Sequence, residues 1–132
     1  MSYNILVVDD SETMRAVISR TLKMAEVPIK ELFQAANGKE AIKVLEQEWI
    51  DLVFADINMP EMNGVEMVEH MAADGLLSTI PVVIVSTEGS QTRIDQLKEK
   101  GVRAYLRKPF SPEQIKNVVT EIMGESDESV GN

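Results

Sequence analysis

No cysteine occurs in the 132-residue chain. Disulfides, thiolate metal sites and a thiol nucleophile are therefore excluded, and nothing in cysteine usage points outside the cytoplasm. Histidine is nearly missing as well, with a single copy, His70. One imidazole without partners makes neither a zinc site nor a triad. No apolar run approaches the roughly 20 residues that span a bilayer. The opening "MSYNILVVDD" has neither the basic stretch nor the small-residue cleavage site of a secretory signal, so a cytoplasmic location is expected. Positive charge is scarce too: 13 Lys and Arg stand against 22 Asp and Glu, a net charge of -9. Nucleic-acid binding needs clustered basic residues, and this balance argues against it. A surplus of carboxylate suits divalent cations or a basic partner.

What is present reads as one globular domain, with 44% hydrophobic and 27% charged residues. Short apolar runs alternate with amphipathic stretches five times. The runs are "NILVV" (Asn4 to Val8), "LFQAA" (Leu32 to Ala36), "LVFA" (Leu52 to Ala55), "PVVIVS" (Pro81 to Ser86) and "AYL" (Ala104 to Leu106). Val-, Ile- and Leu-rich runs without polar alternation fit parallel strands covered on both faces. Between them, Met14, Val17, Ile18 and Leu22 share a helical face, as do Ile42, Leu45 and Trp49. Val65, Val68, Met71 and Ala72 mark a third helix, Ile94 and Leu97 a short fourth, and Ile115, Val118, Val119 and Ile122 a fifth. "SPEQ" at Ser111 to Gln114 offers a complete capping box, and Gly75, Gly101 and Gly124 fall where helices should end. The expected fold is α/β: a doubly wound three-layer sandwich around a five-stranded parallel sheet. Residues 1–124 form the domain, and the acidic remainder 125–132, "ESDESVGN", is expected to be a disordered tail.

In open α/β sheets ligands bind beyond the carboxyl ends of the strands. Asp9 and Asp10 follow the first run and Asp56 follows the third; Ser86 and Thr87 close the fourth, and Lys108-Pro109 follows the fifth. Each has an ordinary reading alone. The Asp pair is a turn with a helix cap, Asp56 an Asx-turn acid, Lys108 a surface lysine and Ser86 a loop hydroxyl. Neither turns nor caps require all of them at successive ends of one sheet. Hard carboxylate oxygens suit Mg²⁺, a carboxylate can be a covalent nucleophile, and phosphoryl transfer needs compensating positive charge and hydroxyl donors. The set is consistent with a phosphoryl-accepting site.

"VVDDS", "ADINMPEMNG", "VIVSTEG" and "AYLRKPF" occur in the order and spacing of a known family. Over Ile5 to about Met123 the chain resembles the receiver domain of bacterial two-component response regulators. With "STEGSQ" and "KPFSPEQ" and no second domain, it is more specifically similar to the chemotaxis CheY-like single-domain type, whose fold is flavodoxin-like. The resemblance implies a signalling switch rather than an enzyme, with Mg²⁺ or Mn²⁺ as cofactor. It implies that Asp56 accepts the phosphoryl group, that Asp10 and Asp56 ligate the metal, that Asp9 acts through water and that the Asn58 backbone carbonyl adds a ligand. Lys108 would pair with phosphoryl oxygens beside a cis peptide to Pro109. Ser86 with Thr87 and Tyr105 would form the switch, and Asn58 and Glu88 would tune the lifetime of the acyl phosphate.

The implied partners are a sensor histidine kinase of the chemotaxis type, a flagellar motor switch protein or a histidine phosphotransfer protein, and a phosphatase. A monomer is expected, with no nucleic acid and no membrane insertion. Two alternatives remain open at this point. One is a phosphorelay shuttle; the other is an aspartyl-nucleophile phosphatase of the haloacid-dehalogenase type, disfavoured because "DDS" replaces D-x-D and no cap insertion is visible. Tyr105 also reads as an ordinary strand tyrosine, and Met14, Met67 and Met71 read as core. Trp49 lies away from Asp56 in sequence and should report phosphorylation poorly.

Overall fold

Alternate residues of each strand leave on opposite faces of a sheet, and here both faces are apolar. Ile5 and Val7 enter one core with Leu52, Phe54, Val83 and Val85; Leu6 and Val8 enter the other with Val53, Ala55, Val82 and Ile84. A sheet apolar on both sides needs helices on both sides. In the computed structural model residues 2–87 and 90–131 are described, with side chains as far as Gly124. The elements are β1 (Tyr3–Val8), α1 (Glu12–Met24), β2 (Ile29–Ala35), α2 (Gly38–Gln47), β3 (Leu52–Ala55), α3 (Gly64–Ala72), β4 (Val82–Ser86), α4 (Gln91–Glu99), β5 (Ala104–Arg107) and α5 (Pro112–Gly131). A single 3-10 turn, Leu77–Thr79, lies between α3 and β4. Ile18 and Leu22 of α1 and Ile115, Val119 and Ile122 of α5 cover one face. The other is covered by α2, α3 and α4 through Ile42, Leu45, Met67, Val68, Met71 and Leu97.

All strand pairs are parallel, in the order β2-β1-β3-β4-β5. The chain winds outward from β1 to β2, then crosses back to β3 and continues the other way. The reversal falls between β1 and β3, where such sheets leave a crevice at their carboxyl edge.

Each helix is entered through a Ser or Asn cap. Side chains of Ser11, Asn37, Asn63, Ser90 and Ser111 accept backbone N–H bonds from Met14, Glu40, Glu66, Arg93 and Gln114. The box expected at Ser111 is complete, since the Ser111 N–H also donates to Gln114 Oε1 at 2.8 Å. Asn63 and Glu66 form a second, which the sequence reading passed over.

Three expectations differ in detail. β2 begins at Ile29 instead of Leu32, because an edge strand paired only to β1 tolerates the exposed Lys30 and Glu31. Gly101 follows α4 with φ +106°, as a helix-terminating glycine does, whereas Gly124 lies within α5. Trp49 does not share the buried face of Ile42 and Leu45. α2 stops at Gln47, Glu48 is extended (φ -123°, ψ 150°), and the indole is 79% exposed. The expected tail, 125–132, lies outside the residues with described side chains, although the α5 backbone reaches Gly131.

One glycine fixes how closely α3 meets the sheet. A Cβ on Gly64 would sit 2.3 Å from the Asp56 carbonyl oxygen, and the Gly64 N–H donates to the Ile57 carbonyl at 2.8 Å. The obstructing atom is backbone, so it cannot rotate away. Gly64→Ala should cost roughly 1–3 kcal/mol through this overpacking. Urea unfolding would show it, and an unchanged midpoint would contradict it.

Candidate functional site

Asp56 directly follows β3, and its backbone N–H donates to the Val8 carbonyl at 3.0 Å. That bond ties the end of β3 to the end of β1, bringing Asp56 beside Asp9 and Asp10. One carboxylate oxygen from each of the three acids lies within 4.8 Å of the others. Asp9 is buried, Asp56 half-buried and Asp10 exposed. Ser11, not Asp10, caps α1, so the cap reading of the acidic pair does not hold. Asp9 Oδ1 instead accepts the Ser11 N–H at 2.9 Å.

Lys108 arrives from β5, two strands beyond β3. Its peptide bond to Pro109 is cis, and its N–H donates to the Ser86 carbonyl at 2.9 Å. The ammonium stands 3.1 Å from Asp9 Oδ2 and 3.5 Å from Asp56 Oδ2, and its side chain is only 12% exposed. It is not a surface lysine. The other Asp56 oxygen accepts the Ile57 N–H at 2.7 Å.

Burial pushes the Asp56 carboxyl above the ordinary aspartate value. Lys108 and the Ile57 N–H oppose that rise, while Asp9 adds to it. A second cation would relieve the remaining repulsion. Three hard oxygen donors with an exposed member facing solvent are a fitting set for Mg²⁺, which uses few protein carboxylates and keeps several waters.

The remaining expected residues surround this centre. Ser86 is buried at the end of β4, and Thr87 is exposed just after it. Tyr105 is half-buried on β5, beside Ile84 in the ladder. Asn58 is exposed two residues beyond Asp56. Glu88 lies outside the described residues. Sequence reasoning missed Arg15, whose guanidinium donates to the Asp9 carbonyl at 2.6 Å and to Gln34 Oε1 at 3.0 Å. Its position one turn after Ser11 was the available signal. It also missed Asn37, buried at the α2 cap, whose amide donates to Glu61 at 3.2 Å and joins the β2-α2 loop to the β3-α3 loop.

The profile of the response regulator receiver domain matches residues 5–120. The chain belongs to the response regulator receiver family. Receiver domains act as signalling switches and bind Mg²⁺ at an acidic pocket, and the carboxylate cluster here is of that kind. The chain is 35% identical to chemotaxis protein CheY1 of Helicobacter pylori over 124 residues, covering 93% of this chain and 98% of the relative. Chemotaxis protein CheY4 of Vibrio cholerae superposes with a TM-score of 0.81 at 30% identity, covering 92% and 98% of the two chains. A CheY of Borrelia burgdorferi, crystallised in a complex with CheX, BeF3 and Mg²⁺, gives 0.80 at 25% identity over 92% and 89%. The receiver is thus CheY-like, with the doubly wound fold that the strand pattern predicts.

The raised carboxyl makes receiver stability depend on pH. Folded Asp56 keeps its proton to higher pH than unfolded Asp56, so between the two pKa values the folded state binds more protons. Its contribution is intact below the ordinary aspartate pKa of about 4 and is lost as pH rises through the raised folded value. With EDTA present, Asp56→Asn should therefore be more stable than the wild type at neutral pH and should lose that advantage on acidification. Urea midpoints across this range test it; a wild type at least as stable at neutral pH would refute it.

Proposed function

We propose that this receiver is a Mg²⁺-dependent switch that takes a phosphoryl group from a histidine kinase onto Asp56. The observation that carries the reading is the Lys108 ammonium held by both Asp9 and Asp56. It places a fixed positive charge beside the one carboxylate that is both half-buried and at the end of the strand next to β1.

A carboxylate oxygen of Asp56 attacks phosphorus, the phosphorus–nitrogen bond of the phosphohistidine breaks, and the imidazole leaves with the electron pair. Asp9, Asp10 and Asp56, with the Asn58 carbonyl, would hold the ion. When bound there, Mg²⁺ or Mn²⁺ would supply positive charge to the phosphoryl oxygens. Lys108 compensates the same oxygens from the protein side. Phosphorylation adds negative charge beside Lys108, whose backbone is already bonded to the end of β4 at Ser86. The Ser86 hydroxyl turns to the new oxygens, Thr87 and the loop follow, and Tyr105 repacks inward. The face made by α4, β5 and α5 then presents a different surface, as a population shift between two packings. Asn58, two residues beyond Asp56, and Glu88, two residues beyond Ser86 in sequence, set how fast water removes the group.

The working unit is residues 1–124, acting as a cytoplasmic monomer, with the acidic segment 125–132 outside it. No helix among the described residues is long and apolar enough to cross a membrane. Similarity to chemotaxis relatives supports a chemotaxis kinase upstream and a flagellar motor switch protein downstream. The CheX complex of the Borrelia relative supports a further partner, such as a phosphatase.

Incubation with a small acyl phosphate and Mg²⁺ should add one phosphoryl group to the intact mass, and none with EDTA or in Asp56→Asn. An adduct that persists in the variant would move the acceptor elsewhere. Trp49 emission should change little on modification, because the indole lies beyond the opposite end of β3. Binding to a flagellar switch protein should increase with the adduct. Equal binding, with onward transfer to a histidine phosphotransfer protein, would favour the relay instead.

A further inference from the structure

The opposite pole of the molecule carries a groove that the switch does not use. It opens at the amino ends of β3 and β4, and one strand length of about 13 Å separates it from Asp56. Its volume is about 610 Å³, and its floor and walls include Leu45, Leu77, Ile80 and Pro81. Two large apolar side chains stand at its edge in solvent, Trp49 at 79% and Leu76 at 83% exposure. Single exposed apolar residues are ordinary; two lining one groove form a patch.

Trp49 is held rather than loose. Its indole N–H donates to Asp51 Oδ1 at 3.2 Å, and its carbonyl accepts the Asn4 side-chain amide at 2.7 Å. Asp51 Oδ2 in turn accepts the Asn4 backbone N–H at 2.8 Å. An exposed tryptophan fixed in this way gives up little conformational freedom on contact, which is what favours Trp at interface centres.

The rim fixes the sign of what fits. Glu46, Glu48, Asp51 and Asp74 line the groove, and among the described residues no Lys or Arg does. Among the described residues none of these four carboxylates is in an ion pair. A second copy of this chain, with its net charge of -9, would bring more negative charge to the same rim. Anionic lipid is disfavoured for the same reason.

We propose that this groove docks a cationic amphipathic peptide segment of another protein, its apolar face against Trp49 and Leu76 and its Lys or Arg side chains against the acidic rim. Electrostatic attraction of this kind steers association and weakens with salt. Docking at this pole needs neither Mg²⁺ nor a phosphoryl group, so its outcome is independent of the assignment of Asp56.

The test uses the full unmodified chain and a synthetic Leu/Lys amphipathic peptide of about 15 residues, near the length at which helices become stable. Two counterparts replace Lys by Glu or Leu by Ser. The Leu/Lys peptide should shift the emission of Trp49 to the blue in a saturable manner, and both counterparts should fail. Amide shifts should concentrate at residues 45–51 and 74–81. The exposed substitutions Leu76→Ser and Glu46→Lys with Glu48→Lys should each weaken binding roughly tenfold. Shifts spread over the acidic surface or centred on α4, β5 and α5 would overturn the proposal. So would affinity unchanged in both variants, equal binding of the Leu/Glu peptide, or self-association of the chain that covers Trp49.

Discussion

One buried and one half-buried carboxylate, with an ammonium touching both, hold the carboxyl edge of this receiver together. Parallel neighbours lie about 4.8 Å apart, so acids ending two adjacent strands are forced within repelling distance. Asp9 and Asp56 are in that position on β1 and β3, and Lys108 touches both. The cation arrives from β5 only because the sheet order puts β3 and β4 between, and because Lys108 is bonded through its backbone to the end of β4. Burial holds the Asp56 carboxyl above the ordinary aspartate value despite the Lys108 ammonium beside it, and a further cation would favour its charged form.

Around this edge the loops are fastened to one another as well as to their own helices. Asn37 and Gly38 bond Glu61 and Met62 across to the β3-α3 loop, Arg15 ties the end of β1 to β2, and Gly64 lets α3 lie against the Asp56 backbone. These bonds lie on the β1-β2-β3 side of Asp56, while Ser86, Thr87 and Tyr105 lie on the β4 and β5 side. The far pole has the opposite character: apolar side chains at an edge, acids around them and no cation. One sheet thus separates an edge that gathers three carboxylates and an ammonium from a groove of apolar residues with acids around it.

The five strands were legible because parallel strands buried on both faces must be continuous apolar runs, and "LVFA" at Leu52 to Ala55 matches β3 to the residue. The acids were legible as a set because strand ends are the one place where an apolar run is regularly followed by function. Arg15, Asn37 and Gly64 were not. Arg15 and Gly64 meet the backbone carbonyls of Asp9 and Asp56, and Asn37 meets the Glu61 carboxylate 24 residues away in sequence; residue type does not announce such contacts. Trp49 was misplaced for a simpler reason. Helical spacing carries a face only while the helix lasts, and an extended Glu48 turned the chain before the face reached it.

By itself the sequence determined the number of strands and helices, the two-sided core, the family and the identity of the residues at the strand ends, since all of these are written in local apolar patterning and in motifs at fixed intervals. Only the tertiary structure decided which of those residues share charge. Whether Lys108 meets Asp9 and Asp56 depends on the sheet order, the close approach of α3 and the path from β5, and these are set by packing between segments as far as 99 residues apart. It also decided that Trp49 faces solvent above an acidic rim, because the end of α2 is fixed by what Asn4 and Asp51 hold in place and not by the residues of the helix alone.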